Sequence, residues 1–62
     1  MKEMQLRKLT RQQLSKMLRA NVPHVSFNKR TTLQQMRDKL NILGGDFAWI
    51  RFDNNFVIQH RV

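Results

Sequence analysis

Leu9-Thr10-Arg11-Gln12-Gln13-Leu14 is the most informative stretch of this chain. Thr10 is a helix N-cap with Gln13 three residues on, the pairing in which side chain and backbone satisfy each other's orphan N–H groups. Leu9 before the cap and Leu14 four residues after it supply the matching hydrophobic staple. The two devices agree on one register, which predicts a helix over residues 11–20. Leu14, Met17 and Leu18 then lie on its buried side, with Asn21 available for a left-handed exit. At about 100° per residue, Gln12, Lys16 and Arg19 point away from that stripe and Arg11 lies on its flank. Residues 1–8 are expected as a flexible basic arm or a short helix, Met4 and Leu6 favouring partial order.

Downstream, Leu33, Met36, Leu40 and Leu43 repeat at helical spacing. Thr31 or Thr32 precedes them with Gln34 or Gln35 three residues later, and Gly44-Gly45 stops the run. A second helix is predicted over 32–43, with Gln34, Gln35, Asp38 and Asn41 facing outward. Pro23 forbids continuation of the first helix, and residues 21–31 form a connection too long for a tight helix-turn-helix. Val22, Val25 and Phe27 in that connection are expected to reach the core.

After the glycines the period falls to two. Residues 47–52 and 56–61 flank Asp53-Asn54-Asn55 and predict an antiparallel β-hairpin. A three-residue loop sets Phe52 opposite Phe56 and Ile50 opposite Ile58, giving an apolar face of Ala48, Ile50, Phe52, Phe56 and Ile58. Phe47, Trp49, Arg51, Val57, Gln59 and Arg61 are left on the other face. The expected class is α+β: two helices packed against a C-terminal antiparallel hairpin, within one small domain spanning 1–62.

Composition sets the functional limits. The 62 residues carry no cysteine, so a disulfide framework and thiolate metal sites are excluded, and His24 and His60 lack a third ligand. No cofactor or metal is expected. Apolar runs are far shorter than the ~20 residues of a membrane span, and the first residues lack the apolar centre of a signal peptide; the expectation is a cytoplasmic protein without membrane contact. Catalysis finds no constellation to rest on. There is no tyrosine, the only glutamate is Glu3, and Asp38, Asp46 and Asp53 fall on a helix face, a strand entry and a turn rather than as a pair.

Charge is the positive clue. Lys and Arg outnumber Asp and Glu 12 to 4, and the excess is uneven. Residues 1–30 hold eight basic side chains against Glu3 alone, whereas residues 31–62 hold four against three. Such a field of one sign is most simply explained by a polyanionic partner. Lys8, Arg11, Lys16 and Arg19, continuing through Lys29 and Arg30, form the expected phosphate-contacting surface. Gln34 and Gln35 suit base edges, as amides pair with adenine. Trp49, flanked by Arg51 and Arg61, suits stacking on unpaired bases. The expected partner is nucleic acid, DNA rather than RNA. The competing expectation is a small basic inhibitor or adaptor docked on an acidic protein, with Trp49 and Phe47 as apolar anchors.

Leu9, Leu14, Leu18, Val22-Pro23, Asn28-Lys29-Arg30, Leu33 and Leu40 together give a stretch, residues 9–40, that resembles the SAP-type helix-extended loop-helix DNA-binding motif. Asn28 stands where that family usually has glycine. The resemblance implies two short helices flanking an extended loop, with basic residues at the loop end and helix starts meeting the DNA backbone. The order of elements is also similar to a winged-helix layout, which implies residues 32–43 as recognition helix and Asp53-Asn54-Asn55 as wing tip. Either implies DNA binding without catalysis, and small basic proteins of this kind look like phage regulators of transcription or replication.

Overall fold

The computed structural model describes residues 2–44 and 47–59. Its elements run β1 (Lys2–Gln5), a 3-10 turn (Leu6–Lys8), α1 (Arg11–Asn21), α2 (Leu33–Lys39), a second 3-10 turn (Leu40–Leu43) and β2 (Trp49–Phe52). The class is α+β, as the sequence predicts.

Helix α1 begins where its capping signals place it. The Thr10 hydroxyl accepts from the Gln13 N–H at 3.2 Å, and the Gln13 side-chain carbonyl accepts from the Thr10 N–H at 2.9 Å. Leu9 and Leu14 are both buried, so the staple is closed. Thr10→Ala is expected to cost about 1 kcal/mol by removing the cap, measured as a lower thermal midpoint; an unchanged midpoint would place the start of the helix elsewhere. At the other end the helix extends one residue further than predicted. Asn21 is helical rather than left-handed, and Val22 turns the chain out at φ −134°. Val22 is buried, and Val25 and Phe27 pack partly buried against the core, as expected of the connection.

Helix α2 repeats the capping box through Thr32 and Gln35, at 3.1 and 2.9 Å. It is shorter than the predicted 32–43, because the last turn tightens into 3-10 geometry over Leu40–Leu43 before Gly44 ends it at φ +76°. Of the four apolar positions, Met36 and Leu40 are buried while Leu33 and Leu43 remain 38% and 43% exposed. The outer two sit at the ends of a short element, beyond the reach of a core this small.

The antiparallel ladder joins β2 to β1 at the N-terminus, a pairing that the sequence alone does not suggest. Its register is Lys2 with Phe52, Glu3 with Arg51, Met4 with Ile50 and Gln5 with Trp49. The return after β2 is present in reduced form. Phe52 bridges to Ile58, Asp53 N–H donates to Val57 O at 3.2 Å, and Gln59 N–H donates to Arg51 O at 2.9 Å. Phe52 therefore opposes Ile58 rather than Phe56. The longer turn is built by the Asp53 carboxylate, whose Oδ1 accepts from Asn55 N–H at 2.8 Å and Val57 N–H at 3.1 Å. Phe56 takes φ +64°, uncommon for a bulky side chain, and its ring stacks on Phe52 with centroids 5.1 Å apart.

A two-residue shift keeps the side-chain alternation, so Phe52, Phe56 and Ile58 stay on the core side. Phe47 and Ala48 do not follow it. Phe47 packs on the core and Ala48 is exposed, the reverse of expectation, because both precede the ladder and its alternation does not govern them. Between helices and ribbon lies the core of Leu9, Leu14, Met17, Leu18, Val22, Met36, Leu40, Ile50 and Phe52. Arg61 and His60 lie outside the described residues. Among the described residues, no helix is long and apolar enough to cross a membrane.

Candidate nucleic-acid interface

The basic residues of the first half of the chain divide into structural and free cations. Arg11 is structural. From the first turn of α1 its guanidinium donates to the carbonyls of Thr31, Asn28 (2.9 Å) and Lys29 (3.1 Å). A planar fork with five donors on two terminal nitrogens and Nε suits three convergent carbonyls better than the single ammonium of a lysine. The same turn is knotted from within: Asn28 Oδ1 accepts from Arg30 N–H at 2.8 Å, and Thr31 Oγ1 accepts from Asn28 N–H at 3.0 Å. Arg11 thus fixes the turn carrying Lys29 and Arg30 against α1, immediately ahead of the α2 N-terminus. Arg11→Gln is expected to lower the unfolding midpoint as well as the charge, whereas Lys29→Gln changes charge alone; equal thermal midpoints for the two variants would contradict the stapling role.

Lys8, Lys16, Arg19, Lys29 and Arg30 are exposed, and none forms an ion pair among the described residues. The one carboxylate in the first thirty residues, Glu3, is taken by Arg51 across the ribbon at 3.3 Å. The positive field of this half is therefore not neutralised internally. Lys16 and Arg19 are also steadied. The Lys16 ammonium lies over the Phe56 ring and the Arg19 guanidinium over Phe27, each 5.5 Å from the centroid. Between these two cations and the Asn54-Asn55 tip runs an open groove of about 470 Å³ with Phe56 at its side.

A clasp holds that tip beside α1. The Asn21 amide donates to Met17 O and Phe56 O, both at 2.8 Å, and its oxygen accepts from Ile58 N–H at 2.9 Å. The left-handed Phe56 persists because the Asp53 carboxylate, the Asn21 amide and the Phe52 ring each constrain it. Composition shows none of this. Asn54, Asn55 and Asn21 are not among the site residues that the sequence predicts, and an amide at a helix exit is the single local signal that hints at the clasp.

The remaining candidates are dispersed. Gln35 is committed to its capping box, so its oxygen is not available to a base. Gln34 is exposed and donates to Asp38 at 3.0 Å. Arg51 is paired to Glu3, and Trp49 stands 47% exposed on the outer face of β2. Arg7 and Arg37, which charge patterning alone does not single out, lie near Trp49; Arg37 donates to the Arg7 carbonyl at 3.2 Å. His24 is exposed, and among the described residues no cluster of three metal-ligating side chains occurs. Comparisons of the chain with protein-family models, with curated proteins and with solved structures found no match.

Proposed function

We propose that this chain is a non-catalytic nucleic-acid-binding module that engages duplex DNA through its phosphates. The observation that carries this reading is the set of five exposed cations without ion pairs among the described residues: Lys8 at the end of the first 3-10 turn, Lys16 and Arg19 on α1, and Lys29 and Arg30 on the turn that Arg11 fixes. A solvated helix surface ordinarily mixes signs. Here no acidic residue stands between Lys8 and Arg30, and the preceding one is paired elsewhere. Lys29 and Arg30 sit before the N–H groups of α2, and Lys16 and Arg19 flank a rigid turn with two asparagines. Long cations near preorganised backbone are what a phosphate backbone requires.

The order of elements supports DNA as the target, since helix, extended loop and helix follow the arrangement that the residue pattern of 9–40 resembles. Regulation of transcription or replication is the role such a module would serve. The test is a binding titration of a labelled 20-base-pair DNA duplex, the matching RNA duplex and an acidic peptide at constant salt. The DNA duplex is expected to bind most tightly. Capture of the peptide with no affinity for either duplex would replace this reading with that of an adaptor on an acidic protein.

A further inference from the structure

The outer face of the ribbon carries a second feature that phosphate binding leaves unused. Strand alternation places Met4, Ile50 and Phe52 toward the core and Glu3, Gln5, Trp49 and Arg51 outward. Glu3 and Arg51 consume each other. The cross-strand partners Gln5 and Trp49 are left at the mouth of a groove of about 390 Å³ between ribbon and α2, which Leu6, Arg7, Gln34 and Arg37 also line. Leaving nearly half of the chain's single tryptophan in solvent forgoes one of the largest apolar burials available to so small a core.

The chemistry around that ring is specific. Arg7 and Arg37 supply two guanidinium groups. Gln5 accepts from Arg7 Nε at 3.1 Å through its oxygen, which leaves its amide N–H donors uncommitted, and Gln34 donates to Asp38 through its N–H, which leaves its carbonyl oxygen uncommitted. An aromatic face, a donor, an acceptor and two cations side by side match a planar heterocycle bearing an anionic phosphate. An acidic peptide would meet the cations, but its carboxylate side chains offer no planar ring to stack on Trp49. In sequence, Arg7 of the groove is followed directly by Lys8, one of the free cations.

We infer that this groove takes one unpaired nucleobase, stacked on Trp49, with its phosphate met by Arg7 and Arg37. The inference rests on the nucleic-acid reading above and extends it: the preferred ligand is a DNA duplex that continues into a single strand.

Trp49 is its own reporter. Four probes separate the sources of binding: a blunt duplex, the same duplex with a four-nucleotide overhang, that duplex with an abasic overhang that keeps the phosphates, and an acidic peptide. The intact overhang should quench Trp49 and bind about tenfold more tightly than the blunt or abasic forms, within the range of one base stacked on an aromatic ring. Trp49→Ala should erase that difference without altering affinity for the blunt duplex, and Trp49→Phe should restore part of it. Equal binding of intact and abasic overhangs, or quenching by the peptide instead, overturns the inference while blunt-duplex binding leaves the phosphate reading standing. Absence of binding to every DNA probe overturns both.

Discussion

Asn21→Ala is expected to destabilise the protein by about 2–4 kcal/mol, the combined effect of removing three hydrogen bonds and leaving partly buried backbone groups unmet. The amide of Asn21 holds Met17 O, Phe56 O and Ile58 N–H at 2.8–2.9 Å. No other side chain ties α1 to the segment after β2 in this way among the described residues. For a domain of this size the change corresponds to a fall of roughly 15–30 °C in thermal midpoint. A small domain has little margin, so much of the population would unfold near body temperature. Asn21→Asp should also destabilise, because it keeps the acceptor for Ile58 but sets a carboxylate oxygen against two carbonyls. A midpoint unchanged in both variants would show that the turn is not clasped to α1.

Both helices were legible in the sequence because their signals are local. Thr10 with Gln13 and Thr32 with Gln35 are capping boxes in which each residue's role is set by a neighbour three positions away. The alternation from Trp49 to Phe52 was legible for the same reason. What escaped depends on partners far apart in the chain. Lys2–Gln5 carries no strand signature and becomes a strand only because β2 offers it an edge. The register after Phe52 is decided by Asp53 bonding two backbone N–H groups, which lengthens the turn beyond the three residues that alternation suggests. At the candidate site, a count of charges identified the basic half but could not separate Arg11, spent on the carbonyls of residues 28–31, from cations that remain free. Gln35 was ambiguous for a like reason: an amide that suits a base edge also suits a cap, and the cap lies only three residues away.

Replacing Lys16, Arg19, Lys29 and Arg30 together by Gln should weaken duplex binding on the order of a thousandfold at about 0.1 M salt, since each phosphate contact releases close to one condensed counterion. The fold should survive. All four side chains are exposed, and none carries a side-chain hydrogen bond or ion pair among the described residues. The stacking of Lys16 on Phe56 and of Arg19 on Phe27 contributes only about 0.5–1 kcal/mol each at exposed sites. Circular dichroism of the variant should match that of the parent. An affinity within a few-fold of the parent would remove both α1 and the 29–30 turn from the interface.

The most direct measurement of the central claim is the slope of log K against log salt for a DNA duplex. Five engaged cations predict a slope between about −4 and −5 for the parent chain, and the single remaining one predicts about −1 for the four-site variant. A slope near zero for the parent, or the same steep slope for parent and variant, would contradict the assignment of these side chains to the phosphate backbone.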